Sequence, residues 1–240
     1  MDHAYSFSNV VDSDLANVLQ LMVRRLKHAG PKKVDATTVK EWSIFADASF
    51  DGQTGTGGLG GVLVDSHGDC RAWFSVCLGK DVCNILGATN KETIIYEVEM
   101  LASCLAMDLW ASCLASAYPV LYGDNDSVRF ALIRGTGQGV VANTIMQQHL
   151  ETEVNFNTNV WFARVPTEAN IADIPSRFLS HPFLPSSMDE SSKAWTCLER
   201  FLKRVQQACE EAIGRGEGDH LTAPHVRKRK RAQVAAPRQT

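Results

Sequence analysis

The sequence predicts an α/β architecture, a mixed sheet covered by helices. Three β-like runs, over residues 43–50, 57–65 and 70–79, follow one another with only turns between them and read as a meander. A long apolar helical stripe comes next. Strand and helix patterns then alternate to residue 179, so the order reads β-β-β-α-β-α-α-β-α.

Residues 13–29 precede this core as a predicted helix. Ser13 can cap it, Leu15, Val18, Leu19, Met22 and Leu26 share a face, and Gly30-Pro31 ends it. The first strand turns at Asp51–Gly55, and Asp65–Asp69 joins the next two. Thr89-Asn90-Lys91-Glu92 is a capping-box pattern opening the long helix, whose stripe is Ile94, Val98, Leu101, Leu105 and Leu109. A strand over 119–123 leads to a short helix from Asp126 to Ile133. A helix from Val140 to Glu153, a strand from Asn159 to Val165 and a short helix from Asn170 to Leu179 close the core. A linker is expected past His181-Pro182-Phe183-Leu184-Pro185. An amphipathic helix over 192–213 places Trp195, Leu198, Leu202, Val205 and Cys209 on one side. Gly, Pro and basic residues beyond Gly214 predict disorder. The expected division is 1–40, 41–181, 182–215 and 216–240.

Composition is that of a soluble globular protein, 45% hydrophobic and 21% charged over 240 residues. The net charge of −3 is not the footprint of an independent nucleic-acid binder. Residues 43–180 hold seven Lys and Arg against fifteen Asp and Glu, whereas the flanks are basic, above all Arg227-Lys228-Arg229-Lys230-Arg231. A polyanion is attracted to those flanks more than to the core. The tail reads equally as a nuclear-import signal, a nucleic-acid tether or a solvated end. Seven cysteines without a C-x-x-C pair predict reduced core thiols, hence an intracellular protein, nuclear or cytoplasmic. Asp2 and its polar neighbours do not make a secretory signal. Asp108 and Pro119 interrupt the apolar stretch 101–122 and argue against a membrane span.

Gly55-Thr56-Gly57-Gly58-Leu59-Gly60 matches G-x-G-x-x-G, but the β-like run Gly61-Val62-Leu63-Val64 follows where a dinucleotide site needs a helix. The expected role is a hairpin whose small residues allow close packing. The acids carry more chemistry. Asp47 interrupts an apolar strand, Asp124 follows another, and Asp173 opens the last helix. Glu97 and Glu99 flank the long helix's stripe, and periodicity does not choose between them. Each acid alone has an ordinary explanation as a solvated charge or a helix cap. Together they form a carboxylate cluster that is costly unless cations neutralise it, a candidate two-metal phosphoryl-transfer centre.

Phe45-Ala46-Asp47-Ala48-Ser49, Glu99-Met100-Leu101-Ala102, Tyr122-Gly123-Asp124-Asn125 and Asn170-Ile171-Ala172-Asp173 together resemble ribonuclease H. Asp124-Asn125 through Ala131-Leu132-Ile133-Arg134-Gly135, and Arg164 through Asp173-Ile174-Pro175-Ser176-Arg177, narrow the likeness to retroelement reverse transcriptases of the tyrosine-recombinase (DIRS) type. The likeness covers roughly residues 15–180. It implies a ribonuclease H-like mixed five-stranded sheet flanked by helices, with extra N- and C-terminal helices. The family's Glu-x-x-Ala selects Glu99, so the implied catalytic and metal set is Asp47, Glu99, Asp124 and Asp173, holding two Mg²⁺ or Mn²⁺ ions. Asp47 would bridge the ions, with Asp173 on the water side and Glu99 and Asp124 on the leaving-group side. Ser49, Asn125, Asn170 and Arg177 are the implied substrate contacts. The implied partners are an RNA–DNA hybrid and a reverse transcriptase polymerase domain, with no membrane. The family's His-bearing loop before the last acid is missing, and the core shows no basic handle for the hybrid. A catalytically inactive remnant or interaction module is therefore the rival expectation, and an exonuclease or integrase-like enzyme of the same fold is a third.

Overall fold

The computed structural model describes residues 42–87 and 93–214, together with helical positions 16, 19, 20, 22, 23 and 27. Residues 89–92, most of the predicted 13–29 helix and the basic tail lie outside the described residues. Leu19 and Met22, which periodicity puts on that helix's apolar face, are exposed.

Strands β1 (Ser43–Asp51), β2 (Thr56–Val64) and β3 (Cys70–Leu78) form the predicted meander. The β1–β2 turn is closed by Asp51, whose carboxylate accepts from the Gln53 amide and the Thr54 hydroxyl. Strands β4 (Val120–Gly123) and β5 (Trp161–Arg164) add in parallel on the other side of β1. The sheet order is β3-β2-β1-β4-β5, a mixed five-stranded sheet flanked by helices. Pairing of β1 with β4 stops at Phe45 opposite Tyr122, whose rings stack at 4.9 Å. Beyond that pair β1 runs on without a β4 partner, and Ala46, Asp47 and Ala48 there are buried by other elements.

Helix α1 (Lys80–Leu86) was not predicted. Seven residues are too few to establish a 3.6-residue stripe, and its buried side chains are Cys83 and Leu86. Helix α2 (Ile95–Leu109) is buried at every position from Glu97 to Met107. A helix covered on all sides has no polar face, which is why periodicity cannot separate Glu97 from Glu99. Asn125 caps α3 (Asp126–Arg134), accepting from the Ser127 and Val128 amides, and Gly135 ends it in the left-handed region. Helix α4 (Gly139–Phe156) follows. Helix α5 (Asp173–Ser176) is one turn instead of the expected 170–179, because the backbone reverses at Phe178. Helix α6 (Ser191–Gly214) buries Ala194, Leu198, Phe201 and Val205, whereas Trp195, expected on that side, is exposed.

Two apolar layers sit on the sheet. Ile44, Ala46 and Ala48 of β1 join α2, α4 and α6 in the main core. On the opposite face Val62 and Val64 pack with Ala172, Ile174 and Leu184. Among the described residues no helix is long and apolar enough to cross a membrane. All seven cysteines are unpaired, but only Cys83, Cys104 and Cys209 are buried. Cys77 and Cys113 are exposed, so the expectation of uniformly core thiols does not hold for them.

Candidate metal centre

Asp47 sits in mid-β1 opposite Gly60 of β2, beyond the last β1–β4 pair. Glu99 reaches it from α2, and Asp124 follows the final residue of β4. One carboxylate oxygen from each lies within 4.8 Å of the other two. Asp47 and Glu99 are buried, and Asp124 is half-buried. Glu97 is buried as well but is not in this group.

Both oxygens of Asp47 are held. The buried Ser176 hydroxyl donates to Oδ2 at 2.5 Å, and the Asn170 amide donates to Oδ1 at 3.2 Å and to the Ala46 carbonyl. These donors flank Asp173, so one short segment both carries the last acid and clamps the first. It reaches the sheet because β2 has no side chains in its path. A Cβ on Gly58 would lie 2.1 Å from the Ser176 carbonyl oxygen, and one on Gly60 would lie 2.4 Å from the Ser176 nitrogen. The close-packing role expected of the glycine run is thus filled by α5. Asp124 is held by Thr167, whose hydroxyl donates to Oδ2 at 2.7 Å from the 3-10 turn Thr167–Ala169.

Asp173 stands outside the three-carboxylate group. Its Oδ1 accepts from Arg177 Nε at 2.6 Å. It still acts on the group through its charge. Burial pushes the Asp47 carboxyl up to about 6; the Ser176 bond opposes this, the charges of Asp124 and Asp173 add to it, and Arg177 offsets part. Burial, then the charges of Asp47, Asp124 and Asp173, raises Glu99 well above the ordinary carboxylate range. An all-oxygen donor set, mostly buried and mutually repelling, fits a hard divalent cation.

The four expected substrate contacts have internal partners. Ser49 donates to the Ser176 carbonyl, Asn125 caps α3, and Asn170 is buried against Asp47. Arg177 alone keeps its side chain more than half exposed. The Asn170 amide group donates to Asp47, while its Oδ1 accepts from the Ala172 amide just before α5. Sequence reasoning missed Ser176 and Thr167. A hydroxyl three residues after an acid, or in a loop before it, carries no pattern of its own.

Fold and site define an α/β domain with a cluster of three carboxylates, a candidate site for a divalent cation. No family model matches the sequence, and no curated protein matches it. The fold is similar to that of the N-terminal RNase H domain of a Mycobacterium tuberculosis protein, at 15% identity and TM-score 0.45, over 58% of this chain and 92% of that one. RNase H1 from Halobacterium salinarum is similar at 18% identity and TM-score 0.42, over 55% and 90% of the two chains. LC11-RNase H1, isolated from compost and solved with an RNA/DNA hybrid, is similar at 17% identity and TM-score 0.45, over 57% and 95%. With scores and identities this low, the function is read from this chain's own carboxylates.

Proposed function

We propose that this chain is a divalent-cation-dependent nuclease of the ribonuclease H type, hydrolysing the RNA strand of RNA–DNA hybrids. The observation that carries the reading is the convergence of Asp47, Glu99 and Asp124, from three separate elements, to within 4.8 Å. In this reading Asp47, Glu99 and Asp124 would hold one divalent ion, and Asp173, here paired with Arg177, would serve a second. Bound Mg²⁺ or Mn²⁺ lowers the pKa of water and offsets the charge that develops on the phosphate. The chain's own part is orientation. Ser176 and Asn170 fix both oxygens of Asp47, Thr167 fixes Asp124, and Glu99 is set by a fully packed helix. Arg177, more than half exposed and paired with Asp173, offers a cation to an incoming phosphate. The resemblance over residues 15–180 supports the retroelement part of the reading. There the domain is the nuclease portion of a reverse transcriptase, or its remnant, working with a polymerase domain in the nucleus or cytoplasm.

A second reading, an inactive remnant or interaction module, is favoured by the strongly acidic balance of residues 43–180. Cleavage of a labelled RNA–DNA hybrid with Mg²⁺ or Mn²⁺ separates the two. Cleavage that Asp47→Asn abolishes supports the nuclease. A folded wild-type chain that cleaves with neither metal moves the reading to the remnant or to an enzyme that needs its polymerase partner.

A further inference from the structure

Phe178 has a backbone conformation that phenylalanine rarely adopts. Its φ is +60°, the left-handed region where Cβ crowds the backbone and glycine is the common occupant. The stop of α5 imposes it. The Phe178 amide donates to the Pro175 carbonyl and the Leu179 amide to the Ile174 carbonyl, the paired bonds that place a left-handed residue just after a helix. The core gains little from the ring, because Phe178 is 53% exposed. Its edge instead lies over β2, where a Cβ on Gly58 would come within 2.8 Å of it. Two positions, one strained and one restricted to glycine, thus hold an aromatic ring at the surface, five residues along the chain from Asp173.

The ring divides two grooves. One, of about 500 Å³, passes Ser49, Thr56 and Arg177. The other, of about 590 Å³, passes Trp73, His181 and Pro182. Two residues of the first groove tie it to the carboxylates: Ser49 is two positions from Asp47 on β1 and so shares its sheet face, and Arg177 is bonded to Asp173.

We infer that Phe178 is a nucleotide contact, its ring packing on a base or sugar of the strand whose phosphate reaches the carboxylates. The inference rests on the nuclease reading above. An exposed ring next to a guanidinium is the pairing that nucleic-acid strands take, because every base has a π-face and every linkage a negative charge.

The test measures anisotropy of a fluorescein-labelled RNA–DNA hybrid with the full chain, all variants carrying Asp124→Asn to prevent cleavage. Phe178→Trp is expected to bind within about twofold of the Asp124→Asn parent, and Phe178→Leu and Phe178→Gly roughly tenfold more weakly. Phe178→Gly should melt no lower than the parent, since glycine adopts this φ freely. Phe178→Leu binding as tightly as the parent overturns the inference and leaves the nuclease reading standing. A parent that does not bind the hybrid overturns both.

Discussion

Asp47 concentrates the physics of the site in one side chain. Its carboxyl titrates near 6 in the fold against an ordinary 3.8, so the folded state holds its proton more tightly than the unfolded state does. For an acid raised in this way the stability contribution is present below about pH 4 and is lost as pH rises to about 6, on the order of 3 kcal/mol in all. Glu99 acts in the same direction. The metal-free chain is therefore expected to melt lower at pH 7.5 than at pH 5, and excess Mg²⁺ to raise the melting temperature mainly at pH 7.5. Calorimetry at both pH values checks this; equal Mg²⁺ shifts at the two would contradict it. Ser176→Ala removes the hydroxyl that favours ionised Asp47. It is expected to cost about 1–3 kcal/mol at pH 7.5 by urea denaturation, and to weaken Mg²⁺ binding in titration calorimetry. Asp47 stood out in the sequence because a carboxylate in an apolar run is costly and invites explanation, whereas Glu99 was separated from Glu97 only by the family's Glu-x-x-Ala. Ser176 did not stand out, because its bond to Asp47 spans 129 positions and a hydroxyl is at home anywhere.

Among the elements, β2 and α5 depend on one another. The glycine run was legible as close packing, since a strand follows it where a nucleotide loop needs a helix. What packs there was not, because α5 has one turn and no periodicity of its own. A Cβ at Gly60 would meet the Ser176 nitrogen and the Ala172 carbonyl, both backbone atoms that cannot rotate aside. Gly60→Ala is expected to destabilise by about 1–3 kcal/mol, and to loosen the donors on Asp47, weakening metal binding as Ser176→Ala does. Gly79→Ala is the control, because nothing lies within 4 Å of a Cβ there. Denaturation and Mg²⁺ titration of both variants measure the contrast. A Gly60→Ala chain as stable as wild type would mean that α5 can lift from the sheet at little cost.

Across the whole molecule, helix α6 belongs to the core. The sequence showed an apolar side but not what it covers, since that surface is assembled from α2, α4 and β3. Phe201 and Val205 are buried in the same cluster as the α2 residues Leu101 and Leu105. Asp108, which in the sequence only interrupted an apolar run, is an anchor: Thr152 of α4 donates to Oδ1, and Arg200 of α6 to Oδ2 at 2.7 Å. The segment leading into α6 is tied down too, as Trp73 donates to the Pro185 carbonyl and the Glu190 amide donates to the Trp73 carbonyl. Helix α2 carries Glu99, so what holds α2 also holds the metal centre. Phe201→Ala is expected to cost about 3–5 kcal/mol, as for a fully buried ring. Arg200→Ala should cost less, its side chain being 60% exposed. Ending the chain at residue 190 would expose the α2–α4 surface, and the expected product binds a hydrophobic dye, loses near-UV circular dichroism and unfolds without a sharp transition. If α6 were an appendage to a self-sufficient domain, the shortened chain would keep the full-length melting temperature and Mg²⁺ affinity, so those two measurements decide the matter.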